Sequence, residues 1–404
     1  MAGAALTATA AAESVGFRDE SLLVHDAKAA YDNKYTNIQW NTEAAENVGA
    51  PVIYKDSVLL PVGDKLLRYS EADGTKLAEI KLPDTAAVDF SGVMYGDILV
   101  QPLENGICTV DMTTAEVKTL YEADGTVDSD VAVADSTVYF SVKNADGEHF
   151  CGVSLTDGSL YQGATAKGQD MTSPTKQGDS IIVGMGDVLA THTEGYGVCE
   201  IPVGDIITGA PYASEYAVYF STEGGNVVKL RLNTDGTMEE DTLVTCETGA
   251  NSSAPLQHNN RLYVTSDKGL HIIDSINMEL ITTLPDIAGG SDPFLCRGNG
   301  PRVYTVAPYE GGRWALYSVY DPGEDVEPQT EILAIMEDFE GGKAAVSENG
   351  TMYYRDALGR LYALTLVEYN IVMIIIRLLI MVALIAGVFL WIRMVGKRRA
   401  QNRF

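Results

Sequence analysis

The stretch Leu361-Tyr362-Ala363-Leu364-Thr365 decides the fold, because its pattern recurs along the chain. Two apolar residues are separated by two variable ones and are followed by a polar or turn residue, which predicts a short strand. Seven upstream copies share this pattern: Leu66-Leu67-Arg68-Tyr69, Ile107-Cys108-Thr109-Val110, Phe150-Cys151-Gly152-Val153, Val198-Cys199-Glu200-Ile201, Val227-Val228-Lys229-Leu230, Leu270-His271-Ile272-Ile273 and Leu316-Tyr317-Ser318-Val319. Successive copies are 41, 43, 48, 29, 43, 46 and 45 residues apart. A strand repeat with a period of about 40–45 residues indicates a β-propeller with one blade per repeat. We therefore predict an all-β, eight-bladed propeller.

Turn residues divide each repeat into further strands. Asp, Asn or Gly precedes a β-branched or aromatic run, as in Lys55-Asp56 before SVLLPV and Asn259-Asn260 before RLYVTS. These residues suit the backbone of tight hairpins. A second turn follows the recurring strand, as in SLTDG at residues 154–158, so we predict four-stranded blades over residues 36–368. Five repeats open with a proline, which suits the first residue of a strand: Pro51, Pro174, Pro211, Pro255 and Pro293.

The eighth repeat lacks a fourth strand of its own, because an apolar segment follows Thr365 almost directly. Near the other end of the chain, Tyr35-Thr36-Asn37-Ile38-Gln39-Trp40 has the composition of a strand. We predict that this strand, with Ile38 and Trp40 on it, completes blade 8. Such a closure would join the two ends of the ring and remove its open sheet edges.

The N-terminal residues have the composition of a targeting signal. Residues 1–12, MAGAALTATAAA, read as the back half of a secretory signal peptide whose true start lies upstream; a disordered Ala-rich tail is the alternative. Residues 13–35 form a polar N-terminal segment with little pattern.

An apolar stretch at residues 371–395 predicts a transmembrane helix over residues 369–395. The basic tail, residues 396–404, begins with Gly396-Lys397-Arg398-Arg399. Under the positive-inside rule the tail is cytoplasmic and the propeller is extracytoplasmic, in a single-pass topology at the cell membrane. Two arginines, Arg377 and Arg393, interrupt the stretch; Arg377 can snorkel to the interface or contact an acidic group on a partner helix.

The charge of the chain argues against a nucleic-acid partner, and solubility alone is the alternative explanation for it. The net charge is −28, and residues 371–404 contain six Lys/Arg and no Asp/Glu, so the remainder carries −34. A body this acidic repels phosphate backbones and anionic lipids.

The cysteines and histidines predict structural roles. Cys108, Cys151 and Cys199 occupy equivalent positions of the recurring strand, where neighbouring blades are about 10 Å apart. That separation is too long for a disulfide, so we interpret them as small core residues. Cys246 and Cys296 are isolated, and no Cys/His cluster has the spacing of a zinc site. His271 lies on a core strand and reads as a structural residue.

The candidate metal ligands are Asp124, Asp128 and Asp130, in a loop between two blades. Carboxylate oxygens suit Ca²⁺, but the spacing is not that of an EF-hand, and a solvated acidic loop is the alternative. Gly323-Glu324-Asp325-Val326-Glu327 has the same two interpretations. No catalytic motif is found, and we name no catalytic residue.

The proline opening, the paired strands and the TDG-type turn together resemble the PQQ-like repeat of quinoprotein alcohol dehydrogenase-like propellers, over residues 36–366. Blades 4 and 7 are divergent. The resemblance implies either a quinone- and Ca²⁺-dependent dehydrogenase or a non-enzymatic scaffold, such as the lipoprotein propeller of outer-membrane protein assembly. The dehydrogenases have an adjacent Cys-Cys pair beneath the cofactor and a tryptophan in most blades. This chain has no such pair, and its tryptophans are Trp40, Trp314 and Trp391. We therefore expect no cofactor, and we assign none of the dehydrogenases' site residues to positions in this chain.

These observations predict a membrane-anchored extracytoplasmic propeller that acts as a protein-binding or scaffolding platform at the cell envelope. Its partner is expected to be an envelope or membrane protein. The alternatives are a propeller that binds a small ligand, a glycan or a cation, and an enzyme with a site in the central channel.

Overall fold

Eight antiparallel sheets follow one another along the chain, and we number them as blades 1 to 8. The computed structural model describes residues 14–17, 24–25, 37–296, 302–323, 326–337, 339, 344–347, 351–365, 375–376, 378–382, 384–388 and 391. The chain divides into two compact units, Met1–Leu366 and Val367–Phe404. The first unit is the predicted all-β, eight-bladed propeller.

The strands are numbered in chain order. Two of them precede blade 1: β1 (Val24–His25) and β2 (Asn37–Asn41). Blades 1 and 2 contain β3 (Val52–Tyr54), β4 (Ser57–Val62), β5 (Lys65–Ser70), β6 (Lys76–Lys81), β7 (Val93–Tyr95), β8 (Ile98–Leu103), β9 (Gly106–Asp111) and β10 (Val117–Glu122). Blades 3 and 4 contain β11 (Thr126–Val127), β12 (Ala132–Ala134), β13 (Thr137–Asn144), β14 (Gly147–Ser154), β15 (Leu160–Ala166), β16 (Thr175–Gln177), β17 (Ser180–Met185), β18 (Val188–Thr193) and β19 (Gly197–Pro202).

The second half of the ring follows the same scheme. Blades 5 and 6 contain β20 (Ile207–Ala213), β21 (Val218–Thr222), β22 (Asn226–Leu230), β23 (Val244–Glu247), β24 (Leu256–His258), β25 (Arg261–Ser266), β26 (Gly269–Asp274) and β27 (Leu280–Leu284). Blades 7 and 8 contain β28 (Leu295–Cys296), β29 (Arg302–Tyr309), β30 (Arg313–Tyr320), β31 (Gln329–Met336), β32 (Ala345–Val346), β33 (Thr351–Arg355) and β34 (Leu361–Thr365). Two short 3₁₀ helices are Pro285–Ile287 and Glu310–Gly312.

The fourth strand is the least buried strand of each blade. In blade 6 every residue of β25 is buried, whereas none of β27 is. The core lies between the faces of neighbouring sheets, as in the cluster that joins Leu256 and Ile272 of blade 6 to Val303 and Tyr317 of blade 7. Fourth strands therefore form the outer perimeter, and first strands lie nearest the central channel.

The N-terminal strand β2 is the outermost strand of blade 8. It pairs antiparallel with β34, and Trp40 lies opposite Ala363. Trp40 also reaches blade 1, because its Nε1 donates to the Glu71 carbonyl at 3.0 Å and its ring lies 6.3 Å from that of Tyr69. Ile38 is 54% exposed on the outside of the ring. The strand thus occupies the position that the sequence analysis assigned to it; Tyr35 and Thr36 lie outside the described residues.

The predicted repeat is wrong by one strand in blade 4. Val198-Cys199-Glu200-Ile201 lies on β19, the fourth strand, and the third strand is β18. Leu189 of β18 takes the equivalent position, and the spacings on either side of it become 39 and 38 residues instead of 48 and 29. Cys199 is consequently half-buried on the perimeter and is not equivalent to Cys108 and Cys151, which are buried third-strand residues.

The prediction of four strands in every blade is wrong for blade 3. Its first strand is interrupted, so that β11 and β12 both pair with β13 and residues 128–131 bulge between them. The Ser129 hydroxyl accepts the Ser141 N–H at 2.7 Å. This contact satisfies the donor that the bulge leaves without a strand partner.

Blade 7 also departs from the predicted scheme. It is a three-stranded sheet, β29-β30-β31, among the described residues. In place of a first strand, Phe294 forms a single bridge to Tyr304, next to β28.

The N-terminal segment, which has little sequence pattern, contributes two short pairings. Val15 bridges to Val133 of β12, and β1 pairs in parallel with β28. Residues 1–12, the predicted signal peptide, lie outside the described residues.

In the second unit, residues 375–376, 378–382, 384–388 and 391 are helical. No helix within the described part of the chain combines the length and the apolar character needed to cross a membrane. The predicted helix over residues 369–395 is described only at these positions. Arg377, Arg393, Lys397, Arg398 and Arg399 lie outside the described residues.

Candidate functional site

The propeller has two faces, which differ in the turns they present. Because the strands of a blade are antiparallel, the turns that join strands 1–2 and 3–4 lie at one end of the sheet. We call this end the upper face. The turns that join strands 2–3, together with the connections to the next blade, lie at the other end, which we call the lower face.

The upper face presents a row of exposed large side chains on four consecutive blades. We call this row the apolar arc, and its members are Tyr196 of blade 4, Tyr216 of blade 5, Ile276 of blade 6 and Val326 of blade 7. Their exposed fractions are 69%, 71%, 62% and 51%. Among the described residues, the upper-face turns of blades 1 to 3 contain no exposed large hydrophobic residue. The arc therefore covers one half of the ring.

The upper-face turns are held in fixed conformations by short-range hydrogen bonds. In the TDG-type turns an aspartate accepts the N–H two residues on: Asp73 from Thr75 at 3.1 Å and Asp157 from Ser159 at 3.0 Å. These bonds lower the pKa of both carboxyl groups. The turn that bears Ile276 is fixed in the same way by Asp274, which accepts the Ile276 N–H at 2.8 Å. The Ile276 side chain of the arc is thus displayed on a fixed turn.

The lower face of blade 3 contains a cluster of three carboxylates, Asp128, Glu148 and Asp170. Glu148 is 1% exposed and accepts hydrogen bonds from the Ser141 hydroxyl and from the Met171 N–H, at 2.7 Å. Burial raises the pKa of Glu148 from 4.5 to about 7, against the opposing effect of these two donors.

Lys143 occupies the position of a cation in this cluster. Its ammonium lies 3.5 Å from Asp128 and forms an ion pair with Asp170. The ammonium offsets part of the negative charge, and the raised pKa of Glu148 reduces its share of that charge. We therefore read the cluster as a structural ion-pair network that joins blade 3 to the start of blade 4.

The structure brings only one of the predicted metal ligands, Asp128, into this cluster. Asp130 instead ties three blades together, since it accepts the Ser91 N–H at 2.8 Å and the Ser173 hydroxyl at 3.0 Å. Asp124 is not part of the cluster. The sequence reasoning missed Glu148 and Asp170. A charged residue at a core position of a third strand, as in Gly147-Glu148-His149-Phe150, is the signal that could have revealed Glu148.

A second candidate site is an open groove of about 500 Å³ on the lower face, between blades 6 and 7. Its lining combines aromatic rings, carboxylates and one aliphatic side chain: Asp286, Pro308, Tyr309, Glu310, Tyr317, Thr330 and Ile332. The Arg313 guanidinium lies 5.5 Å from the Tyr309 ring, in a cation–π contact within the chain.

The histidines and cysteines have structural environments. His271 is 2% exposed, with its ring nitrogens 2.7 Å from the Ser266 hydroxyl and 3.0 Å from that of Thr283. This confirms the structural role predicted for it. Burial raises the pKa of Cys108 to about 12, so its thiol is not reactive. The side chain of Cys296 lies outside the described residues.

No protein-family model and no curated protein matches the sequence. The propeller is similar to many solved structures, and two of them illustrate the likeness. The computationally designed Ika8 protein matches with a TM-score of 0.62 and 11% identity, over 81% of this chain and 98% of that one. BamB from Moraxella catarrhalis matches with a TM-score of 0.58 and 12% identity, over 82% of this chain and 99% of that one. Both similarities show the eight-bladed fold alone, and membership of the PQQ-like family stays a prediction.

Proposed function

We propose that the chain is a non-enzymatic, membrane-anchored platform that binds a protein partner at the extracytoplasmic side of the cell membrane. The observation that carries this proposal is the apolar arc. Four exposed large side chains on neighbouring blades lie on the same face of the ring, and tyrosine, which supplies two of them, is enriched at the energetic centres of interfaces. The eight-bladed fold, which the chain shares with BamB, is compatible with this role.

The anchor in this proposal rests on the second unit. The described side chains of its helical residues are apolar and largely exposed, with Leu384 at 66%, Leu379 at 62% and Trp391 at 63%. Exposed apolar side chains on every described residue of a segment suit a hydrocarbon environment. The basic residues that follow the stretch support a cytoplasmic C-terminus under the positive-inside rule.

A site-specific photo-crosslinker tests the partner. Placed at Tyr216 in the full-length chain in its native membrane, it is expected to give a reproducible adduct with one envelope or membrane protein. The matched control is Glu223, an exposed residue of the same blade on the lower face, where no such adduct is expected. Adducts of equal yield at both positions, or none at Tyr216, would contradict the proposed interface.

An anchor-swap variant separates the contribution of the propeller from that of its anchor. Residues 371–404 are replaced by an unrelated transmembrane helix, and the Tyr216 crosslink is repeated. If the arc alone binds the partner, the adduct persists; if the helix and Arg377 contribute, its yield falls.

The groove between blades 6 and 7 favours one alternative, the binding of a small cationic ligand. Two tyrosine rings beside the carboxylates of Asp286 and Glu310 form the kind of environment that attracts a cation. Titration with a quaternary ammonium compound, followed by chemical-shift changes at Tyr309 and Tyr317, tests this alternative. Tyr309→Ala should abolish the shifts; shifts that survive the substitution would exclude the groove.

A further inference from the structure

The first strand of blade 3 pairs on both of its edges. One edge of β12 pairs with β13. On the other edge, the Val15 N–H donates to the Val133 carbonyl at 2.8 Å, and the Val133 N–H donates to the Val15 carbonyl at 2.8 Å. Because first strands lie nearest the central channel, this single bridge adds one residue, Val15, to the inner edge of blade 3.

Side chains fix the register of residues 14–17 on the edge of blade 3. Phe17 is 1% exposed and packs in a cluster with Ala132, Phe150 and Met171. Gly16 between them has φ +83, and a Cβ there would lie 2.7 Å from the Val131 carbonyl oxygen. The site therefore selects for an apolar residue, a glycine and an aromatic residue in succession.

The same segment also reaches the opposite side of the ring. Strand β1 pairs in parallel with β28, with Val24 opposite Leu295. Blades 3 and 7 face each other across a ring of eight. Residues 14–17 thus contact blade 3 and residues 24–25 pair with β28. We call residues 14–17 the strap.

We propose that the inner edge of blade 3 is a strand-accepting site, filled within the chain by residues 14–17. When the strap is released, the site accepts an extended segment of the same pattern from a partner protein. Backbone hydrogen bonds supply sequence-independent affinity in such strand addition, and side-chain pockets supply specificity. An open strand edge favours this kind of pairing. The site lies in the channel, so this inference is independent of the apolar arc and of the membrane anchor.

The test uses the full-length chain and a fluorescent synthetic peptide of residues 13–26. The double variant Val15→Pro, Phe17→Ala weakens the strap, because proline removes the N–H that binds Val133 and alanine empties the Phe17 pocket. The variant is expected to bind the peptide at least tenfold more tightly than the wild-type chain, in which the strap occupies the site. The matched control is a peptide with Val15→Pro and Phe17→Ala, which should not bind either protein.

Three results would overturn the proposal: a folded variant that does not bind the peptide, equal binding by variant and wild type, or equal binding of the control peptide. If the variant does not fold, a protease site that replaces residues 28–31 allows the strap to be cut after folding. The cut protein, freed of its strap by gel filtration, is judged by the same three results. If the cut strap stays bound, excess peptide must displace it; failure to do so counts against the proposal.

Discussion

Gly74 shows at the scale of one residue how the ends of the ring are joined. It occupies a TDG-type turn of blade 1 with φ +69, and the Trp40 ring of blade 8 packs directly against it. A Cβ at this position would lie 2.6 Å from the Trp40 ring. Glycine is required here for two separate reasons, the left-handed backbone and the close approach of the indole.

Gly158 provides a matched comparison for a first prediction. It occupies the equivalent turn of blade 3 with φ +71, but a Cβ there would meet nothing within 4 Å. Alanine at either position costs about 1–2 kcal/mol for the left-handed conformation. Gly74→Ala should cost about 1–3 kcal/mol more than Gly158→Ala, because the Trp40 contact must also shift. Urea unfolding of both variants measures the difference, and equal losses would contradict the proposed Trp40 contact.

Glu148 carries a second prediction, on pH. Its pKa is about 7 in the folded chain, against 4.5 as the ordinary value. The unfolded state therefore loses its proton first as the pH rises, so this residue destabilises the fold progressively between about pH 4.5 and pH 7. The full effect is at most about 3 kcal/mol. Glutamine keeps the shape and the hydrogen-bonding capacity without the charge.

We expect Glu148→Gln to be more stable than the wild type at pH 8 and to lose this part of the pH dependence. Unfolding free energies at pH 5, 6, 7 and 8 measure it. Glu223→Gln, which changes an exposed carboxylate on the same face, is the control and should follow the wild-type profile. If the unfolding free energy of the wild type increased relative to that of Glu148→Gln as the pH rises, the predicted direction of the pH dependence would be wrong.

At the scale of the element, strand β2 determines whether blade 8 is complete. It contributes the outermost strand of that blade from a position more than 300 residues away in sequence. Its side chains divide into two groups: Trp40 points into the interface with blade 1 and contacts the Tyr353 ring at 5.7 Å, whereas Ile38 points outward. The strand joins the ring through backbone pairing and through one large side chain.

The third prediction separates these two contributions. Trp40→Ala should destabilise the propeller by about 2–4 kcal/mol, because it removes a large half-buried ring from the blade 8–blade 1 interface. Ile38→Ala, on the same strand, should cost less than about 1 kcal/mol. Deletion of residues 30–45 should lower the melting temperature of the whole ring. An unchanged melting temperature after the deletion would refute the closure.

At the scale of the whole molecule, the two compact units give a fourth prediction. A chain that ends at residue 366 should keep the melting temperature of the propeller, because the division falls between the two units. The same truncation should move the protein from the alkali-resistant membrane fraction to the soluble fraction. Carbonate extraction and thermal unfolding measure the two effects. A truncated chain that stays in the alkali-resistant fraction would contradict the anchor, and a lowered melting temperature would contradict the independence of the units.

The sequence alone determined the architecture, because a propeller is built from local hairpins. Each hairpin needs only neighbouring residues: a turn such as SLTDG, an alternating strand, and a period that repeats. The position of β2 was also predictable, because the eighth repeat visibly lacks a strand. An ambiguous local pattern led to a wrong assignment in blade 4. There the fourth strand has the same amphipathic pattern as the third strands of the other blades.

Only the tertiary structure decided which distant residues meet. The carboxylates close to Asp128 are those of Glu148 and Asp170, and not those of Asp124 and Asp130. The reason is that strand pairing and blade packing bring together residues from different repeats. The apolar arc depends on turns of four separate blades sharing one face. Nothing in the sequence indicated that Val15 pairs with blade 3, because a single bridge has no period. Contacts between repeats depend on how the sheets pack, and that information is spread over the whole ring.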